Sequence, residues 1–396
     1  MTDHAHVDAQ ELVAPDSTAL TQDIPERLLR IRRLRQMGVE LTTTCNLACV
    51  YCHFAPLSRR GKDANPLLIE GIIDFVRDFP VDYVTMSGDA EITMFKGWTE
   101  VARRMLAMNI DLRTISNFSK GIFSDEEVDV FSQFRQILIS LDTSDAALLK
   151  KVRYRADLRT ITLNMQLVRA RAIATGRPIP EFVCNVVLHD KNVSHADKTV
   201  AFAIANGFNQ VSMVRYVDLE EVSGGINDLR DNPNATQVYQ IRTLDEAGLH
   251  AGVQALRAAV TLAKDRISLS IQPDILDEIN AGLNGEEKSE VEAPAYPPGA
   301  RRTKSCMMPW DFYYVFWNGD VPPCCIVKDT MVDNVLGKPI TASINSEEMM
   351  DWRRTLLTGD LKPECETCTY VPDTDTQTLR ASVEQYLTQY GDDLAS

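Results

Sequence analysis

Nine cysteines are distributed through the 396 residues in two groups with one left over. Cys45, Cys49 and Cys52 fall within the segment TCNLACVYCHF; Cys306, Cys324, Cys325, Cys365 and Cys368 all follow position 305; Cys184 lies alone in an apolar stretch and reads as a core residue. Where disulfides are not favoured, cysteines at such spacings serve metals or catalysis, so two separated groups predict two metal sites. The C-x3-C-x2-C spacing suits a short loop that wraps three corners of a cubane iron–sulfur cluster and leaves its fourth iron free of protein ligands. Zinc is the competing reading, with His53 available as a fourth ligand. In the second group, Cys306 and Cys324 bracket YYVFWNGDVPPCC, whose Asn318-Gly319 pair predicts a hairpin turn that brings the two cysteines together. The Cys365-x2-Cys368 knuckle then completes a four-cysteine shell, suited to a cluster or to zinc. Cys325 offers an alternative to Cys324, and the spacing favours Cys324.

Elements that could position these groups recur along the chain. Strand-like runs read at 38–44, 83–87, 111–116, 136–141, 181–188 and 210–216, rich in apolar and β-branched residues. Between them lie helical patterns, such as Leu68, Ile69, Ile72, Ile73, Phe75 and Val76, with apolar residues at three- and four-residue spacing. Repeated βα units predict an α/β fold with parallel strands and right-handed crossovers, either an open sheet or a partial barrel. Ligands gather at the carboxyl ends of such strands, and the first cysteine group follows the first strand. Further on come a long helix at 242–265, a strand-like ISLSIQ at 267–272, an acidic and Pro-containing linker at 284–300, and a last polar helix at about 375–392. The expected organisation is an N-terminal extension (1–35) with a short arginine-bearing helix, a core (36–240), a helical connector and linker (241–300), a cysteine-rich domain (301–372) and a C-terminal helix (373–396).

Bulk composition excludes several classes. Lys and Arg number 41 against 56 Asp and Glu, a net charge of −15 that disfavours an extended nucleic-acid interface. The first twenty residues have neither the basic start nor the apolar stretch of a targeting peptide. No run of about 18 apolar residues suggests a membrane span. A cytoplasmic, soluble protein is expected.

The first cysteine segment resembles the cluster motif of the radical S-adenosylmethionine (SAM) superfamily, in which an aromatic residue precedes the last cysteine as Tyr51 does here. The resemblance implies a partial (β/α)6 TIM-like barrel, a 4Fe-4S cluster on Cys45, Cys49 and Cys52, and SAM bound at its open iron. Ser87-Gly88-Asp89-Ala90-Glu91 looks like a variant of the family's Gly-Gly-Glu segment, departing from it at Ala90 and Ile92; it implies that Glu91 meets the SAM amino group. Ser116, Asn117, Ser140 and Asp142 match positions near the methionyl and ribose groups. Cys306, twelve residues, Gly319, four residues and Cys324 resemble the hairpin of the SPASM and twitch extensions. With only Cys365 and Cys368 beyond it, the shorter twitch type is implied, carrying one auxiliary 4Fe-4S cluster on Cys306, Cys324, Cys365 and Cys368.

The implied chemistry is reductive cleavage of SAM to a 5′-deoxyadenosyl radical that abstracts hydrogen from a substrate C–H bond, fed by a donor such as flavodoxin or ferredoxin. An auxiliary cluster with four thiolates can take an electron from the substrate radical, so the expected net reaction is oxidation or epimerisation of a sugar-like or other small metabolite. Maturation of a ribosomally made peptide or protein is the alternative, and a non-catalytic iron–sulfur protein a third. Arg215, Tyr216, Asp142 and His189 are the acid–base candidates at the strand ends.

Overall fold

The computed structural model describes residues 24–52, 61–216, 238–284, 296–327, 330–368 and 370–391. Its strands are β1 (Leu34–Val39), β2 (Ala48–Cys49), β3 (Val81–Met86), β4 (Asp111–Ser116), β5 (Gln136–Ser140), β6 (Arg153–Tyr154), β7 (Glu181–Leu188), β8 (Gln210–Arg215), β9 (Ser268–Ile271), β10 (Arg302–Lys304), β11 (Phe312–Val315), β12 (Asp320–Val321), β13 (Asp333–Asn334) and β14 (Asp373–Asp375). Eight of them form one sheet in the order β11-β1-β3-β4-β5-β7-β8-β9, every neighbouring pair parallel. Among the described residues the sheet is open, with β11 and β9 at its edges.

Helices cross between the strands and cover one face. The helix Pro66–Asp78 starts where the Asn65 side chain accepts the Leu67 N–H and Pro66 occupies the first turn, and it buries Leu68, Ile72, Ile73, Phe75 and Val76. The helix Asp125–Phe131 opens with a capping box between Ser124 and Glu127. On the strands, residues facing the helices are buried: Leu112 and Thr114 on β4, Ile137 and Ile139 on β5, Val211 and Met213 on β8. Their alternates are half-buried or, at Ile115, exposed. One register row on this second face is uniformly small and neutral-polar: Ser140 pairs with Asn185, Asn185 with Ser212, and Ser212 with Ser270.

Three expectations shift in detail. The first strand runs over 34–39 rather than 38–44, because Glu40 turns to accept the Asp89 N–H (2.9 Å) and Thr42 to bond Lys62 O and Asp63. The arginine-bearing helix is only Glu26–Leu29, since Arg33 and Arg35 already belong to the approach to and start of β1, facing Asp82 and Asp311. The turn at Asn318-Gly319 forms, closed by Gly319 N–H to Phe316 O and Phe316 N–H to Asp320 O (both 2.9 Å) with Gly319 at φ 88°. Its first strand, however, joins the main sheet beside β1, and its second pairs with β13.

The chain divides into two compact units: residues Ile31–Ala295 with Met307–Met349, which hold the main sheet, and Met1–Arg30 with Tyr296–Cys306 and Met350–Ser396. Within the latter, β10 and β14 pair antiparallel, Thr303 donates to Leu356 O (2.7 Å), and the buried Arg353 donates to Leu29 O (2.6 Å).

Candidate functional site

The loop after β1 carries Cys45, Cys49 and Cys52, all half-buried. It is stitched down through its own backbone: β2 pairs antiparallel with β6, Cys49 opposite Arg153, and Val50 N–H donates to Val152 O (3.0 Å). Leu47 N–H points at Cys45 Sγ (3.4 Å), and Cys52 N–H donates to Cys49 O (3.1 Å). Burial pushes the Cys49 thiol well above its ordinary range, partly offset by the Arg153 guanidinium, whose Nη1 lies 3.9 Å from the sulfur.

Asp142, one residue beyond Leu141 at the end of β5, anchors this loop. Its buried carboxylate takes Arg153 bidentately (3.0 and 3.0 Å), accepts the Val187 N–H (3.1 Å), and accepts the hydroxyl of Tyr51. Fork-to-fork geometry with a planar guanidinium fixes direction as well as distance. Asp142 therefore holds in place Tyr51, the residue before Cys52, and the arginine opposite Cys49.

A second cradle forms where β3 and β4 end. Glu91, 2% exposed, accepts from Ser116 Oγ (2.7 Å), Asn117 N–H (2.8 Å) and Thr93 Oγ1 (2.9 Å). Burial raises its carboxyl above the usual range, opposed by the donors from Asn117, Ser116 and Thr93. Asn117 reaches towards the cysteine loop, its Nδ2 donating to Asn46 Oδ1 (3.0 Å) and lying 3.9 Å from Cys45 Sγ. Phe118 follows with φ 54°, a left-handed conformation unusual for an aromatic residue, while its ring is buried against Phe123 and Phe131. Its N–H donates to Ser116 Oγ (3.1 Å), so the strained turn keeps Ser116 and Asn117 aimed at Glu91.

The residues of both cradles fall within a stretch that one sequence-family model matches. The superfamily model for radical SAM proteins matches residues 39–203, and the model of the SPASM iron–sulfur cluster-binding domain matches 306–369. The chain carries a radical SAM domain and a SPASM domain. Its radical SAM domain implies a 4Fe-4S cluster and SAM, and its SPASM domain implies auxiliary iron–sulfur binding.

Solved structures with similar folds include SuiB from Streptococcus suis bound to its precursor peptide SuiA (16% identity, 83% of this chain and 69% of that one, TM-score 0.59). Another is anSMEcpe with bound SAM and the Cp18Cys peptide (15% identity, 85% and 87% coverage, TM-score 0.52). A probable GTP 3′,8-cyclase from Sulfurisphaera tokodaii is 22% identical over 217 residues, 53% of this chain and 64% of that relative, so the match spans less than two thirds of its length.

The donor set of this radical SAM chain fits the cluster. Three soft thiols are contributed by one loop, and Cys45 and Cys52 are close enough to Cys49 to disfavour its ionisation in the absence of positive charge. His53, the alternative zinc ligand, lies outside the described residues.

Of the positions singled out in the sequence, Glu91, Ser116 and Asn117 meet one another, and Asp142 meets Tyr51. Ser140 lies half-buried at the end of β5, in the polar row rather than in either cradle. Arg215 is committed to Asp274 (3.0 Å). His189 is buried, and Tyr216 packs edge-on to Tyr51 at 6.2 Å between centroids. Arg153, Thr93 and Asn46 were not singled out; no motif marks Arg153, whose role arises from the antiparallel pairing of β2 with β6. In the second cysteine group, Cys306, Cys365 and Cys368 belong to one unit, where Lys304 Nζ donates to Cys368 O (2.8 Å), and Cys324 and Cys325 to the other. Cys184 is fully buried on β7, as a core residue should be.

Proposed function

We propose that this radical SAM protein removes a hydrogen atom from a C–H bond of a peptide substrate, acting as a maturase, with Cys45, Cys49 and Cys52 as the ligands of the SAM-binding cluster. The observation that carries the site is the convergence of that loop with Asp142 on one side and Glu91, Ser116 and Asn117 on the other. When bound, the cluster and SAM supply one-electron chemistry able to break an unactivated C–H bond. The chain's own residues orient and shield. Glu91 Oε2, holding the Asn117 N–H, keeps acceptor capacity for the SAM amino group. Arg153 and Tyr51, clamped by Asp142, keep Cys49 and Cys52 in place.

The peptide reading is supported by SuiB and anSMEcpe, each similar in fold over more than four fifths of this chain and each solved with a peptide. A second reading, oxidation or epimerisation of a sugar-like metabolite, is favoured by the row Ser140, Asn185, Ser212 and Ser270, whose hydroxyls and amide suit a ligand rich in hydrogen-bonding groups. The auxiliary cluster, on Cys306, Cys324, Cys365 and Cys368, would serve either as electron acceptor, and a flavodoxin or ferredoxin as donor to the first.

Reconstituting the full chain anaerobically with iron and sulfide, adding SAM and reductant, and quantifying 5′-deoxyadenosine tests the site: it should appear in the wild type and be lost in Cys45→Ala. Product formation in Cys45→Ala equal to the wild type rejects the ligand assignment. A mass change in a short peptide encoded beside the gene, absent with sugar substrates, separates the two substrate readings.

A further inference from the structure

His189 follows the last residue of β7 and is fully buried. Its backbone N–H donates to Asn192 Oδ1 (2.8 Å), and its Nδ1 accepts the N–H of Lys191 (3.1 Å). Asn192 in turn donates to Asp142 O and Val187 O (2.9 Å each), so the loop that clamps the imidazole is tied to the same aspartate that clamps the cysteine loop. An imidazole whose Nδ1 is an acceptor carries its proton on Nε2. Burial keeps it neutral, lowering its pKa to about 4.

Among the described residues, Nε2–H has no hydrogen-bond partner. A buried donor is rarely left this way, because its lost hydration is not repaid. The ring lies 6.5 Å from that of Tyr51, the residue before Cys52. Tyr51 is itself edge-on to Tyr216, which follows the end of β8. The ring that carries the unsatisfied donor thus packs beside the cysteine loop, at the carboxyl edge of the sheet. With Nδ1 occupied and charge disfavoured, the imidazole can donate there but is poorly placed to shuttle protons.

We propose that His189 is a positioning residue whose Nε2–H donates a hydrogen bond to an acceptor atom of bound SAM, a ribose oxygen, an adenine ring nitrogen or a carboxylate oxygen. The inference rests on the reading that this loop and sheet edge bind SAM. It assigns an acceptor rather than a donor on the cofactor, so the sulfonium and amino groups are not the partners.

Three substitutions separate this role from a structural one. The amide nitrogen of Gln reaches the place of Nε2, Asn carries its oxygen near the place of Nδ1 but leaves Nε2 empty, and Leu supplies neither. The cluster-reconstituted full chain is titrated with SAM by calorimetry, with cluster absorbance and thermal midpoint recorded for each variant. His189→Gln should bind within about threefold of the wild type, whereas His189→Asn and His189→Leu should bind about tenfold more weakly, the worth of one neutral hydrogen bond. Wild-type affinity in His189→Leu, or affinity restored by Asn and not by Gln, overturns the proposal. If His189→Asn fails to fold, Gln against Leu still decides. No SAM binding by the cluster-loaded wild type rejects the underlying site reading instead.

Discussion

In the first cysteine region, three thiols come from one loop, and that loop is held by a two-strand pairing, a bidentate arginine and a tyrosine hydroxyl that all lead back to Asp142. In the second, the cysteines come from segments that belong to different units, Cys306, Cys365 and Cys368 in one and Cys324 and Cys325 in the other. The first region is organised by protein–protein hydrogen bonds before any metal is considered. In the second, no single loop supplies the thiols, so spacing along the chain says less about which of them would act together.

The largest expected effect tests whether the second region behaves as one site. Cys324→Ser should remove roughly half the iron of the reconstituted chain, about four of eight atoms, while Cys325→Ser should retain it; iron and sulfide analysis gives the answer. Equal loss in both, or loss only in Cys325→Ser, reassigns the ligand. Loss of all iron would erase the contrast between the regions.

The next effect probes the first region. Asp142→Asn leaves the Arg153 guanidinium buried without its counter-charge, which should cost about 3–5 kcal/mol in urea unfolding. Adding Arg153→Met should recover a large part, because removing both charges removes the desolvation penalty along with the attraction. Failure of the double variant to recover would mean that the pair's directional clamp on Tyr51 and Cys49 matters more than its charge.

A smaller effect is a pH dependence at the same edge. His189 has a folded pKa of about 4 against an ordinary 6.5, so the folded state favours its neutral form. Its contribution is fully present above about pH 6.5 and is lost as pH falls towards 4, amounting to about 3 kcal/mol at most. The stability advantage of the wild type over His189→Gln should shrink across that window. A constant difference would show that the imidazole does not resist protonation.

These contrasts also mark what was legible in the sequence. Strands 111–116 and 181–188 match their expected bounds because buried apolar residues recur along them, Leu112 on the first and Phe182, Val183, Val186 and Leu188 on the second, and hydrophobic patterning reports burial directly. The cysteine loop was singled out by its spacing, and Glu91 by the likeness of its segment to the family's Gly-Gly-Glu. Arg153 was not, since a two-residue antiparallel bridge leaves no periodic trace. Nor was the placement of β11: its Asn-Gly turn signals a local hairpin, whereas its partner β1 lies some 275 residues earlier, set by packing that no short window contains. The polar row through Ser140, Asn185, Ser212 and Ser270 required strand register, which patterning on single strands does not fix.

The smallest effect examines how β11 joins the two cysteine stories within the main-sheet unit. Gly38 on β1 sits opposite Tyr314, and a Cβ there would come within 2.8 Å of Tyr314 Cε2 and closer still to its neighbour. Tyr314 donates to Ser87 O (3.3 Å), at the turn whose Asp89 N–H is held by Glu40 and which leads to Glu91. Gly38→Ala should therefore destabilise by about 1–3 kcal/mol through overpacking and weaken SAM binding as the Ser87–Asp89 turn shifts. Gly71, in the helix Pro66–Asp78, has open space where its Cβ would stand, so Gly71→Ala should stabilise by about 0.5–1 kcal/mol and leave SAM affinity unchanged. If Gly38→Ala lost stability while SAM binding was unaffected, β11 would be a packing strand alone, and the turn before Glu91 would owe its shape to Glu40 rather than to Tyr314.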